Sequence, residues 1–219
     1  FDDGMQIVKE ITEHAPVSIV NSINPFRLQG QKTAAFEIIE ELGSSPDYHC
    51  LPVGNAGNIT AHWMGYTEYH EIGKSDSRPT MLGYQAEGAA PFIKGSRVDN
   101  PETIATAIRI GNPQSWDQAL KLSKESNGWF DAFSDKEILS AQKMLTEKEG
   151  VFCEPASAAS LAGLLKRVNA GESFKNKDVV CVITGNGLKD PDIANGIEPV
   201  SLDEYEANVD SVEDALSLP

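Results

Sequence analysis

Along the chain, short apolar runs rich in β-branched residues alternate with longer stretches whose apolar positions recur every three or four residues. The first spacing is that of a buried strand, the second that of an amphipathic helix. Val17–Val20 (VSIV) is the first such run, preceded by a helical stretch with Ile7, Val8 and Ile11 on one face. Gln31 to Leu42 reads as a helix stopped by Gly43, because glycine readily takes the left-handed conformation that ends helices. Cys50–Val53 is the next strand candidate and Ile59 to about Tyr69 the next helix; Met81–Ala86 and Val179–Ile183 (VVCVI) are two further strands. Helices are also expected near 101–108, 115–124, 135–148 and 157–168. Apolar strands alternating with helices predict an α/β domain, a parallel sheet with helices on both faces. Ligands of such sheets bind beyond the carboxyl ends of the strands. The segments after VSIV, CLPV and VVCVI are therefore where chemistry is expected.

Composition removes several alternatives. The 219 residues are 40% hydrophobic and 7% aromatic, enough for one substantial domain or two small ones. No run approaches the roughly 20 apolar residues of a membrane-spanning helix. The first residues, FDDGMQIVKE, lack the basic and then apolar pattern of a signal peptide, and also an initiator Met, so the natural start is expected elsewhere. A net charge of −15 argues against a phosphate-backbone partner. Eight of the 33 carboxylates fall within 191–219, which holds no Lys or Arg, so this segment reads as a solvated acidic extension. Cys50, Cys153 and Cys181 are odd in number and form no CxxC pair, which speaks against a zinc site or a disulfide framework and for a cytoplasmic location. His14, His49, His62 and His70 share no metal-ligand spacing and read as surface or satisfied side chains. No metal site is expected, and no G-x-S-x-G nucleophile motif is present.

Three loops and one helix start carry candidate chemistry. After CLPV come Gly54, Asn55, Ala56, Gly57 and Asn58, leading into a helix. Two glycines permit unusual backbone angles, and the amides of a helix start attract anions. The segment is either a phosphate cradle or a tight turn with an Asn cap; it is neither a Walker A loop nor G-x-G-x-x-G. After VSIV come Asn21, Ser22 and Arg27; the guanidinium either grips a phosphate in bidentate fashion or is solvated on a turn. After VVCVI, Thr184 stands before Gly185-Asn186-Gly187, where its hydroxyl either bonds a heterocycle at the sheet end or belongs to an ordinary turn. Glu154 precedes a small-residue helix start, Pro155 to Ser160, suited to close packing or to a carboxylate beside a ligand.

Taken jointly, FDDGMQIVKEI, VNSINPFRLQGQKTAAFEI, LPVGNAGNITAHWMGY, TIATAIRIGNPQSW, GVFCEPASAAS and VVCVITGNGLKD resemble the threonine synthase family of fold-type II pyridoxal-phosphate enzymes, in family order from residue 1 to about 190. The resemblance implies the tryptophan synthase β-like large domain, incomplete, over 1–190, followed by the acidic extension 191–219. It places Gly54, Asn55, Ala56, Gly57 and Asn58 around the phosphate of pyridoxal 5′-phosphate and Thr184 at the pyridine nitrogen. Asn21, Ser22 and Arg27 match positions that hold the substrate's phosphate, with Asn55 nearby. The implied reaction converts O-phospho-L-homoserine and water to L-threonine and phosphate, a carbon–oxygen lyase reaction acting on phosphates, by β,γ-elimination, water addition and reprotonation at the α-carbon. A threonine dehydratase-like lyase, or a non-catalytic module binding phosphorylated metabolites, are the alternatives. The family's Schiff-base lysine lies in a Ser-Phe-Lys-Asp-Arg segment upstream of anything matched here. Ser173-Phe174-Lys175-Asn176-Lys177 imitates it but precedes the last strand, so Lys175 reads as a solvated linker lysine and no residue of this chain as catalytic. The chain is thus expected to be the C-terminal part of a longer, homodimeric enzyme and to be inactive alone, with the missing N-terminal part as its partner.

Overall fold

A computed structural model describes residues 2–20 and 24–195. Its centre is a four-stranded parallel sheet of β1 (Tyr48–Pro52), β2 (Thr80–Ala86), β3 (Trp129–Phe133) and β4 (Val179–Cys181), in the order β3-β2-β1-β4. Tyr48 pairs with Thr80 on one side of β1 and with Val179 on the other. Parallel strands need crossovers, and helices supply them. β1 reaches β2 through α4 (Gly57–Glu71), β2 reaches β3 through α6 (Trp116–Glu125), and β3 reaches β4 through α7 (Asp135–Glu149) and α8 (Pro155–Asn169). Ahead of the sheet lie α1 (Asp2–His14), α2 (Pro25–Gln31) and α3 (Thr33–Leu42). Two short helices, α5 (Pro91–Lys94) and α9 (Pro191–Asn195), complete the described α-helices.

The strand period of two divides the core. Cys50, Leu82, Tyr84 and Ala86 face α7 and α8, where Ile138, Ala141, Ala156, Ala158, Ala159 and Ala162 meet them. Leu51, Val53 and Met81 face the opposite layer, built from Ala35, Ile39, Ile59, Trp63, Tyr66, Ala119 and Leu122. Both faces are covered, as the apolar strands require. The alanine-rich stripe of α8 lets that helix lie close on the sheet. Cys50 and Cys181, 131 residues apart in sequence, are direct partners across β1 and β4, and all three cysteines are free thiols.

Two expectations need correction, and one strand was missed. Val17–Val20 joins no strand, and Val17 and Val20 are 52% and 79% exposed. An apolar β-branched run becomes a strand only where a neighbour offers its backbone, and none of the four described strands pairs with it. Residues 101–108 form one 3₁₀ turn, Thr106–Ile108, and no α-helix. There the Asp135 carboxylate accepts from the Thr103 hydroxyl and the Ile104 amide, so a tertiary partner takes a donor that a helix would spend on itself. β3 was not expected, since WFDAF carries a polar residue at its centre and only Phe133 is fully buried. Residues 21–23 and 196–219 lie outside the described residues, and with them Asn21, Ser22 and most of the acidic extension.

Candidate active site

The strand order reverses direction between β1 and β4: the chain leaves β1 for β2 on one side and returns to β4 on the other. Crevices form at such points beyond the carboxyl ends of strands. A cavity of about 590 Å³ opens there, lined by Arg27, the Gly54–Asn58 loop, His62, Ile108, Glu154, Thr184 and Lys189, among others.

The loop after β1 is built to leave amides unspent. The N-cap of α4 is Ala56, which sits in the left-handed region at φ 61° and offers no side-chain cap. No acidic residue stands in the first turn to serve instead. The first amides of this 15-residue helix therefore face the cavity with the positive end of its dipole behind them. The strained backbone position is thus Ala56 and neither glycine; a non-glycine residue in that region costs of order 1 kcal/mol or more. The glycines serve by being small. A Cβ on Gly54 would come within 3.0 Å of Ile108 Cα, whereas one on Gly57 would meet only Leu28 Cδ2, at 3.6 Å, and project into open space. No Asn cap is used. Asn55 instead accepts a hydrogen bond from the Gln114 amide through Oδ1, tying the loop to the start of α6.

Arg27 reaches the cavity because α2 begins where it does. Asn24 caps that helix through its side chain, accepting from the Phe26 amide at 2.9 Å, and Pro25 occupies the first turn. Thr184 is held from the opposite wall. Ser157 Oγ accepts from the Gly185 amide at 2.8 Å and lies 2.8 Å from Thr184 Oγ1. Glu154, the N-cap residue of α8 and 2% exposed, lies beneath both hydroxyls; Thr184 Oγ1 donates to its Oε1 at 3.4 Å. A Cβ on Gly185 would fall 2.3 Å from that oxygen, so this turn position is closed to larger residues. Lys189 Nζ lies 3.8 Å from Glu154 Oε2, partly balancing the buried carboxylate.

His62 was not singled out in the sequence. It lines the cavity, is 4% exposed, and bonds Asn58 O through Nδ1 at 2.9 Å. Burial holds its pKa below the ordinary value. Behind it lies His49, whose Nδ1 is 2.7 Å from the Tyr66 hydroxyl; burial and the neighbouring His62 push its pKa well down. The available signal was spacing alone: position 62 is four residues after Asn58, on the same helix face.

Lys175 stands at the other end of the sheet. Its neighbour Phe174 packs edge-on against Tyr48, the first residue of β1, with ring centroids 5.1 Å apart, and Lys177 pairs with Asp47 just before that strand. The cavity lies beyond the strands' opposite ends. The structure therefore brings together Arg27, Gly54, Asn55, Ala56, Gly57, Asn58 and Thr184 and leaves Lys175 apart. Among the described residues there is no group of His, Cys, Asp or Glu able to hold a metal ion, and no helix long and apolar enough to cross a membrane.

The donor set and space fit a pyridoxal-phosphate group: uncapped amides with an open Gly57 position at one end, and a neutral hydroxyl at the other. Comparison with known proteins agrees. Residues 1–185 match the family described as pyridoxal-phosphate dependent enzymes. A threonine synthase of Synechocystis sp. is 60% identical over 197 residues, covering 89% of this chain and 50% of that protein. One of Mycobacterium tuberculosis is 55% identical over 208 residues, covering 93% of this chain and 58% of that protein. The chain thus spans little more than half the length of these curated relatives. Maize serine racemase superposes with a TM-score of 0.68 over 88% of this chain and 60% of its own, at 20% identity, and a fungal L-serine ammonia-lyase from Rhizomucor miehei with 0.65 over 80% and 57%, at 22%. Those two likenesses concern the fold.

Proposed function

The chain belongs to the family of pyridoxal-phosphate dependent enzymes, and from that premise we propose that it is part of a threonine synthase, acting on O-phospho-L-homoserine and water to give L-threonine and phosphate. The observation that supports this reading is that two elements chemically suited to a phosphate, the Gly54–Asn58 loop and the Arg27 guanidinium, line one cavity. One suits the cofactor's phosphate. The second is needed only by a substrate that carries a phosphate of its own.

When bound, the cofactor withdraws electrons from the substrate's α-carbon and so eases the removal of protons near it. In this reading the α4 amides fix the phosphate end by charge-assisted hydrogen bonds, each worth roughly 1.5–3 kcal/mol. Thr184 meets the ring nitrogen with a neutral hydroxyl. In the free cavity the Thr184 hydroxyl donates to Glu154 Oε1 at 3.4 Å, a long bond that it can give up for the ring nitrogen while the Gly185 amide holds Ser157 Oγ beside it. Such a donor binds an unprotonated nitrogen and makes a milder electron sink than an acid would. Arg27 holds the substrate phosphate and, once the carbon–oxygen bond breaks, the departing anion; Asn21 and Ser22 are proposed beside it.

The lysine of such an enzyme is proposed to come from outside these 219 residues. Lys189, the lysine lining the cavity, is engaged with Glu154. The chain alone is accordingly proposed to be inactive. Residues 1–190 are proposed as the cofactor-holding unit with 191–219 as an acidic extension. A cytoplasmic, homodimeric whole enzyme completes the proposal on the strength of the resemblance.

Substitution of Arg27 tests the reading. In the natural full-length protein, Arg27→Ala should lower kcat/KM for O-phospho-L-homoserine by about ten- to a hundredfold or more, the equivalent of losing one or two charge-assisted hydrogen bonds. Cofactor affinity should stay unchanged, because the other loop holds that phosphate. Undiminished turnover in the variant would remove both the Arg27 assignment and the phosphorylated substrate.

A further inference from the structure

His62 stands on the same helix as the amides of the Gly54–Asn58 loop, lines the same cavity, and uses one of its two ring nitrogens in a hydrogen bond. Nδ1 bonds the Asn58 carbonyl oxygen, which only accepts, so Nδ1 carries the proton. In the neutral ring this leaves Nε2 as a lone pair, and no other hydrogen bond to the ring is present among the described residues. Nε2 is not among the buried polar atoms closed off from a partner, whereas Nε2 of His49 is. The same bond turns the ring back toward the N-terminus of α4. His62 is the sixth residue of that helix, about 7.5 Å along the axis from Gly57, a distance that a ring folded back by one turn largely recovers.

We propose that His62 is a second anion-responsive group of this cavity: neutral while the Gly54–Asn58 loop holds no phosphoryl group, and protonated, with Nε2–H directed at the anion, once a phosphate monoester dianion binds. The inference rests on the reading of the loop as a phosphate site and extends it to a residue that the sequence did not mark. Burial favours the uncharged ring in the free cavity. A dianion brought to the adjacent amides reverses that preference, since an opposite charge within a few ångströms favours the charged form. The surroundings do not supply that charge beforehand. Arg27 from α2 and Lys189 line the same cavity and are cationic; Glu154 is already engaged with Lys189; His49 behind the ring is neutral. Elsewhere on α4, Glu68 pairs with Lys32 and Glu71 is the last residue of the helix, nine positions beyond His62, while Glu125 of α6 accepts from Trp63 Nε1. Binding would thus take up a proton, and affinity for dianions would strengthen as the pH falls through the His62 midpoint.

Nuclear magnetic resonance of the four histidine rings tests this on the 219-residue chain, with sulfate as probe because it stays dianionic between pH 5 and 8. Saturating sulfate should raise the His62 midpoint by about one unit, and sulfate should bind about tenfold tighter below that midpoint than above it. His14 and His70 should not respond. The His62→Gln variant, which cannot be protonated, should bind sulfate with an affinity independent of pH across this range. Sulfate binding that shifts the amides of residues 55–58 while the His62 midpoint stays put overturns the proposal and spares the loop. Sulfate that leaves both those amides and His62 unmoved overturns the loop reading and the proposal together.

Discussion

Gly57 is the residue whose substitution best separates an anion cradle from an ordinary turn. Its φ is not in the left-handed region, and an added Cβ would meet nothing nearer than Leu28 Cδ2, at 3.6 Å. The fold should therefore accept a side chain there. Gly57→Ala removes conformational freedom from the unfolded chain and should stabilise by about 0.4–1 kcal/mol, raising Tm by a few degrees at this size. Gly57→Val keeps most of that gain but fills the space between the α4 amides and the cavity. Losing two amide bonds to a phosphate at about 1.5 kcal/mol each amounts to about 3 kcal/mol, on the order of a hundredfold in affinity. Calorimetric titration with pyridoxamine 5′-phosphate, which lacks the aldehyde that reacts with lysines, should show that loss beside an unchanged or higher Tm. Gly65→Ala supplies the contrast. Its Cβ would lie 2.3 Å from Lys32 O and 2.8 Å from Ala35 Cβ, forcing α4 off α3. That variant should melt lower by the equivalent of about 1–3 kcal/mol. If Gly57→Val binds within twofold of the parent chain, the loop is only a turn, and the cofactor assignment of Gly54 to Asn58 falls with it.

Two other outcomes are expected of the 219-residue chain. Borohydride reduction with pyridoxal 5′-phosphate should give no adduct concentrated on one lysine; peptide mapping that found the label on Lys175 alone would contradict its placement at the far end of the sheet. Acid should destabilise the fold through His49, whose folded pKa lies well below the ordinary 6.5, so that the unfolded chain binds the extra proton first. Stability is then fully present above about pH 6.5 and falls as pH drops toward the folded midpoint; His49→Phe should flatten that dependence in denaturant titrations, and an unchanged slope would refute it.

The strands and helices that pack on two sides were readable because burial imposes a period, as at Cys50–Val53, Met81–Ala86 and 157–168. Val17–Val20 shows the limit of that signal: composition makes a strand possible, and only a neighbour makes it one. Residues 101–108 fail for a related reason, since the Asp135 carboxylate that claims the Thr103 hydroxyl and the Ile104 amide lies about thirty residues away. Within the site, Gly54 to Asn58, Arg27 and Thr184 were legible because they follow strands or open helices. Ala56, by contrast, was masked by its glycine neighbours, although it takes the left-handed backbone. His62 was hidden because a histidine inside a helix gives no sign of which way it faces. Its meaning depends on the bond to Asn58 and on the walls supplied by α2 and the Thr184 turn.

Parallel assays of the natural full-length protein with O-phospho-L-homoserine and with L-threonine bear most directly on the proposed activity. Phosphate and L-threonine should be released in equal amounts from the first, with kcat/KM far above that for conversion of L-threonine to a 2-oxo acid. Efficient deamination of L-threonine, with no phosphate released from O-phospho-L-homoserine, would contradict it.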